Sequence, residues 1–360
     1  MIPLFKVYMS QNAETLLKEV LNSGYIGQGE KTELFEQKLC SFLGVDNLVT
    51  TNSATSALHL AYRLCGSSNK TVLTTPLTCI ATNASAIAEN AKIQWVDINP
   101  NTFNIDVEDL ERKLFPARGT SRNFAAIVVV HWGGMPADMD AIQSLAKKAN
   151  IPIIEDCAHA WGSTYDGKLV GTQGNLAAFS FQAVKPVTCG DGGVLICPTE
   201  SSKERAKKLR WYGVNRSNQS EDVAEIGFKY HMNDINASIG LANIEHDTIH
   251  RRQEIARWYD VLKDSSGITL QEKNSKGESS SYLYTIKVED RENFEKMMNS
   301  KGIETRLPHL RNDKYSAFKY FKETLPNLDS VADSLTCIPC GWWLSYPEQQ
   351  YIVDSIAEGW

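Results

Sequence analysis

The stretch F-S-F-Q-A-V-K-P-V-T-C-G-D-G-G-V-L-I-C, Phe179–Cys197, holds one lysine, Lys185, between two apolar runs. The first run predicts a strand ending near Ser180. G-V-L-I-C predicts another, and C-G-D-G-G supplies the glycines of a turn. Taken alone, a lysine there is a surface residue in a loop between strands. A lysine shielded from water can instead act as an amine nucleophile and form a Schiff base.

Outward from this stretch, apolar runs alternate with helical patterns. Asn47–Asn52, Thr71–Pro76, Lys92–Ile98, Ala125–Val130, Ile151–Asp156, Leu176–Phe181 and Gly193–Cys197 predict seven strands. Several are almost wholly apolar, as strands covered on both faces must be. Ser56–Leu64, Ala141–Ala149 and Ser201–Tyr212 carry helical spacing. Strand–helix alternation of this kind predicts an α/β domain with a mostly parallel sheet. Beyond Asn243 the texture changes to a charged helix (Glu245–Leu262), a polar loop (Glu272–Ser281), a strand in Y-L-Y-T-I-K-V and a helix at Arg291–Ser300. A large domain over 1–243 and a smaller α+β domain over 244–360 are expected.

Composition narrows the function classes. The 360 residues are 42% hydrophobic and 22% charged, with 37 basic against 43 acidic side chains and a net charge of −6. No basic field for nucleic acid is present. No apolar run approaches the roughly 18–20 residues that span a bilayer, and the start lacks a signal-peptide pattern. A cytoplasmic protein with reduced thiols is expected. Cys337 and Cys340 form a lone C-x-x-C without a second pair or nearby histidines, which favours strand-end packing over a metal or redox site.

In a doubly wound sheet, ligands gather at the carboxyl ends of the strands. Three candidates lie at such ends. T-N-S-A-T-S-A-L-H-L-A (Thr51–Ala61) runs from a strand into a helix whose N-terminus can hold an anion. I-I-E-D-C-A-H-A (Ile153–Ala160) ends a buried strand in Asp156, with His159 three residues on; a carboxylate there needs a partner to stay charged. It could be a metal ligand, a general base or the counter-ion of a protonated heterocycle. Lys185 is the third. An anion site, a strand-end acid and a shielded lysine together suit pyridoxal 5′-phosphate (PLP).

With these residues assembled, the sequence resembles the DegT/DnrJ family of sugar-nucleotide aminotransferases, of PLP-dependent transferase fold type I. Ser180–Lys185 with Gly190–Gly193 resembles the family's lysine segment. Gly24–Leu39, N-S-A-T-S-A-L-H-L-A, His131–Asp140 and Glu155–Gly162 resemble four further motifs. The resemblance implies that Lys185 holds the cofactor aldehyde as an imine and shuttles the proton. It implies that Asp156 pairs with the pyridinium nitrogen, that His159 lies against the ring or its O3′, and that Ser180, Ala54 and Thr55 bind the phosphate. It further implies a homodimer with shared active sites, in which His231 contacts the partner subunit's phosphate. Cys79 stands where relatives often carry an aromatic residue that stacks on the ring. Pro186 directly after the lysine should stiffen the turn. His309, Arg311 and Asn312 either read the nucleotide sugar or form a structural loop. The implied reaction is amination of a nucleotide-linked keto sugar, a 4-keto-6-deoxyhexose, with L-glutamate giving 2-oxoglutarate and pyridoxamine phosphate as the carrier. A 3-keto substrate or a sugar dehydration is the alternative. Dehydratase relatives replace the lysine with histidine, so Lys185 favours transamination.

Overall fold

The structure is a computed structural model that describes residues 1–116, 123–216, 218 and 222–360. Its centre is one seven-stranded sheet. In chain order the strands are β1 (Leu48–Thr51), β2 (Thr71–Thr74), β3 (Lys92–Trp95), β4 (Phe124–Val130), β5 (Ile153–Asp156), β6 (Leu176–Ser180) and β7 (Gly193–Ile196). They lie in the order β1-β7-β6-β5-β4-β2-β3. Only β7 runs against the rest, pairing antiparallel with both β6 and β1. Each expected strand is present, shortened by a residue or more at one or both ends except for β4, which gains Phe124. Apart from Thr71, Lys92, Gln94 and Phe124 the strand residues are buried, which is why most of the sequence runs are continuously apolar rather than alternating.

Helices cover both faces. The chain enters through α1 (Asn12–Ser23) and α2 (Glu30–Leu43), and then β1 leads into α3 (Ala54–Leu64) and β2 into α4 (Ile80–Ala88). Further along come α5 (Val107–Leu114), α6 (Met139–Ala149), α7 (Glu200–Leu209) and α8 (Asp234–Asn243). One core cluster fills the α3 side, around Leu58, Tyr62, Val128 and Leu195. A second fills the opposite side, around Phe35, Ile127, Phe179 and Val194. Adjacent residues in β4, β6 and β7 thus serve different cores, as strand alternation requires.

The α2 N-terminus shows how distant segments are joined. Its N-cap is Gly29, which has no side chain to cap with. Asp234, at the start of α8, supplies the cap: its Oδ1 accepts from Gly29 N (2.8 Å), Thr32 N (3.0 Å) and the Thr32 hydroxyl (2.7 Å). A carboxylate at a helix N-terminus satisfies orphan donors and opposes the helix dipole.

The C-terminal third holds α9 (Thr248–Trp258), which continues as a 3₁₀ turn over Tyr259–Asp264. It also holds a three-stranded antiparallel sheet of β8 (Ile268–Leu270), β9 (Tyr284–Val288) and β10 (Leu335–Ile338). Asp247 caps α9 by accepting from His250 N at 2.9 Å, so the helix starts later than the charged run Glu245–Leu262 suggested. A third core cluster, around Tyr259, Ile286, Phe294 and Ile352, belongs to this part and to Ile2. The polar loop Glu272–Ser281 contributes Gly277–Glu278, which pair with Thr164–Tyr165 of the large sheet's flank. Cys337 and Cys340 are both buried, on and just beyond β10.

Candidate active site

The register of the sheet brings the three sequence candidates to one edge. Asp156 ends β5 beside Val130 of β4 and Ala178 of β6. Ser180 ends β6 opposite Gly193 of β7. Next to them, α3 begins and lies across β6 and β7. Gly193 permits this approach. A Cβ there would stand 2.5 Å from the Ala54 nitrogen and from the Ser53 carbonyl carbon.

Ser53 is the N-cap of α3, its hydroxyl accepting from Ser56 N at 3.1 Å. Thr55 lies inside the first turn. The backbone N–H groups of Ala54 and Thr55 belong to that turn, where a helix has no acceptors of its own to offer. Ala54 and Thr55 line the same cavity as Ser180.

Asp156 is 4% exposed. Its Oδ2 accepts from the Thr82 hydroxyl at 2.6 Å and its Oδ1 from Ala158 N at 3.0 Å. Because Thr82 spends its proton on Asp156, the Thr78 hydroxyl must donate to Thr82, at 2.8 Å. The neighbouring Glu155 points to the other side of the strand. There it accepts from Asn175 Nδ2 (2.7 Å) and meets His131 Nε2 (3.2 Å), while His131 Nδ1 accepts from Ala137 N (3.1 Å). His131, Glu155 and Cys157 lie close enough together for a metal. The hydrogen bonds already use both histidine nitrogens and both carboxylate oxygens, and burial pushes the Cys157 thiol up. This is a structural network.

His159 is buried, and its Nδ1 has no hydrogen-bond partner. Gly134, at φ +96°, lets the loop after β4 pass under it; a Cβ there would meet the His159 carbonyl at 2.9 Å. The ring stacks on His309 (5.2 Å between centroids, 15° between planes) and tilts against Tyr282 (4.8 Å). Burial, then the charge of Lys185, push both imidazoles down, His159 well below its ordinary value and His309 to about 4. Both are neutral rings at neutral pH.

Lys185 closes the cavity, half-buried, in the turn after β6, with its Nζ 4.0 Å from the Tyr282 ring centroid. The Pro186 carbonyl accepts from the Thr248 hydroxyl at 3.1 Å, which ties the turn to the start of α9. Cys79, the N-cap of α4, lines the cavity, its thiol pushed up by burial. The enclosed space is about 420 Å³.

The three loop candidates separate. His309 lines the cavity. Asn312 is wholly buried, donating to the Thr78 and Leu310 carbonyls and accepting from Asn83 Nδ2. Arg311 is paired with Asp313 and Asp329. These two hold the loop. His231 lies away from the cavity of its own chain. It is packed edge-on against Trp211 (4.1 Å), and burial and nearby cations lower it to about 4. Sequence reasoning missed Tyr282, which precedes β9 within the strand-like run Y-L-Y-T-I-K-V, and Thr82, whose signal is its place in the first turn of α4.

The sequence model of the DegT/DnrJ/EryC1/StrS aminotransferase family matches residues 8–357. The chain is similar to the UDP-4-amino-4,6-dideoxy-N-acetyl-β-L-altrosamine transaminase of Campylobacter jejuni subsp. jejuni. The two are 34% identical over 354 residues, which cover 94% of this chain and 92% of the relative. Among solved structures it is similar to AtS13 from Actinomadura melliaura, with a TM-score of 0.94, 42% identity and coverage of 100% and 99% of the two chains. It is also similar to the sugar aminotransferase CalS13 from Micromonospora echinospora, with a TM-score of 0.95, 37% identity and full coverage of both. With this match along nearly its whole length, the chain belongs to the DegT/DnrJ/EryC1/StrS aminotransferase family.

Proposed function

We propose that the protein is a PLP-dependent aminotransferase that converts a nucleotide-linked 4-keto-6-deoxyhexose to the 4-amino sugar with L-glutamate as donor. The observation that carries this is the convergence of Lys185, Asp156, His159, Ser180 and the first turn of α3 on one cavity of about 420 Å³. The residues fit the cofactor. His159 offers a neutral ring with an unpartnered nitrogen, Asp156 a buried carboxylate, and α3 free backbone donors for a phosphate. PLP, when bound, supplies an electron sink for the carbon that loses a proton.

Each residue then has a defined task. Lys185 would hold the cofactor through its Nζ and, once released, would carry the proton there. Asp156, oriented by Thr82, keeps the ring nitrogen protonated. His159 would lie against the ring, and Cys79 would offer it a small, polarizable neighbour. Ser180 with Ala54 and Thr55 holds the phosphate. His231, outside its own cavity and with an unpartnered Nδ1, serves the partner subunit's phosphate in a homodimer. The division at 243/244 belongs to the same reading and is supported by the separate core around Phe294 and Ile352. The name of the Campylobacter jejuni relative, a 4-amino sugar transaminase, favours amination at C-4 over C-3 and over dehydration. No helix among the described residues is long and apolar enough to cross a membrane.

The test is a pair of half-reactions. Glutamate should discharge the absorbance of the lysine-bound cofactor and release 2-oxoglutarate. A nucleotide-linked 4-keto sugar should restore it and leave as an amine, identified by mass. Turnover that survives Lys185→Ala would refute the assignment.

A further inference from the structure

Lys185 Nζ has no ion-pair partner among the described residues; what it meets is the face of Tyr282, 4.0 Å from the ring centroid. That ring is 4% exposed and held from three sides. Phe5 stacks on it at 5.8 Å, His159 tilts against it at 4.8 Å, and the Arg252 guanidinium stands 5.8 Å away. Arg252, on α9, is itself 1% exposed, and it donates to the Cys340 carbonyl (2.8 Å) and the Tyr282 carbonyl (3.4 Å). No carboxylate pairs with this arginine among the described residues. It clamps the backbone of Tyr282 to the end of β10.

We propose that Tyr282 is the seat of the Lys185 amine whenever that amine is not bonded to the cofactor. The inference rests on the reading of Lys185 given above. Once the donor amine displaces it, the lysine is a flexible four-carbon chain with a free end. An amine left to sample its rotamers loses the orientation that proton transfer requires. A fixed aromatic face opposes this by attracting the ammonium form. The other ionisable groups lining the cavity are Asp156, His159, His309 and Cys79, and the exposed Asp191 and Arg306, neither of which pairs with Lys185 among the described residues. Asp156 is engaged by Thr82 and Ala158, and the two imidazoles are neutral. Tyr282 is therefore a positioning residue: it acts through Lys185.

Two variants test this. Tyr282→Phe keeps the ring, and Tyr282→Leu keeps apolar bulk without it; the Arg252 hydrogen bond to the Tyr282 carbonyl is to the backbone and survives in both. In the glutamate half-reaction of the holoenzyme, Tyr282→Phe should stay within about twofold of the parent rate, because the ring face remains. Tyr282→Leu should slow it by about ten- to a hundredfold at unchanged glutamate affinity, with a larger isotope effect from 2-deuterated glutamate. The second measurement needs no cofactor. Reductive methylation of Lys185 in the apoprotein, read by peptide mass, should be several times faster in Tyr282→Leu than in Tyr282→Phe, by analogy with the loss of one cation–π contact of about 0.5–2 kcal/mol. Equal behaviour of the two variants in both measurements overturns the proposal. Should the parent enzyme fail to react with glutamate, the functional assignment fails, and the methylation contrast still decides the seat. If Tyr282→Leu does not fold, Tyr282→Met is compared instead.

Discussion

The Thr82 hydroxyl reaches Oδ2 of Asp156 at 2.6 Å, joining the first turn of α4 to the carboxyl end of β5. One acid oxygen is thereby fixed by a side chain and the other by the Ala158 backbone. Thr82→Val keeps the shape and removes the donor. A hydrogen bond to a charged group contributes about 1.5–3 kcal/mol, so the unfolding free energy of the apoprotein, read by urea titration, should fall by an amount in that range. Cofactor affinity should fall with it, because the acid loses its orientation. Thr82→Ser should recover most of both.

Gly193 marks the closest approach of β7 to the α3 N-terminus. Alanine there places a methyl carbon 2.5 Å from the Ala54 nitrogen, so backbone must move. Overpacking of this kind costs about 1–3 kcal/mol. The movement falls on the proposed phosphate site. The expected result for Gly193→Ala is weaker cofactor binding in an equilibrium absorbance titration, with a loss larger than the drop in stability alone explains.

Much of this site was legible in the chain, for a physical reason. Strands buried on both faces show as apolar runs, and their carboxyl ends carry the ligand groups, so Asp156, Ser180 and the helix start within Thr51–Ala61 are legible in the chain itself. Lys185 was ambiguous alone and became specific only beside the other two. The sheet order was not legible, because nothing local tells β1 to pair with β7. The cavity wall supplied by Tyr282 and His309 was hidden for the same reason. Both come from the C-terminal third, and their signals, a tyrosine before a strand and a histidine in a loop, are ordinary. Arg311 and Asn312 looked equivalent to His309 in sequence. Only the Asp313 and Asp329 pairs and the Thr78 and Asn83 contacts separate them.

Asp234 accepts three hydrogen bonds on one oxygen, and its other oxygen accepts from Lys31 N at 3.2 Å. Asp234→Ala removes every acceptor at the α2 N-terminus, and caps of this kind are worth about 0.5–2 kcal/mol. Asp234→Asn should cost less, since an amide oxygen can still serve Gly29 and Thr32, while its NH₂ would face Lys31 N–H. The denaturant midpoints should rank parent, Asn, Ala. Equal midpoints for Asn and Ala would assign the whole effect to charge.

His309 gives stability a pH dependence with a definite sign. Burial first, then the charges of Lys185 and Arg306, lower it from 6.5 to about 4 in the folded protein. Above about pH 6.5 the imidazole is neutral folded and unfolded, and it contributes no slope. Between about 6.5 and 4 the unfolded chain binds a proton that the folded one refuses, so acid favours unfolding. Stability is thus present above the unfolded value and lost as pH falls toward the folded one. His159 and His231 are lowered too and add to the same slope, so the parent curve cannot isolate one ring. The difference between parent and His309→Gln can. Urea unfolding at stepped pH should give a constant difference above about pH 6.5. As pH falls toward 4, the difference should shift steadily against the parent. A difference that stays flat across the whole range would show that His309 takes up its proton as readily folded as unfolded.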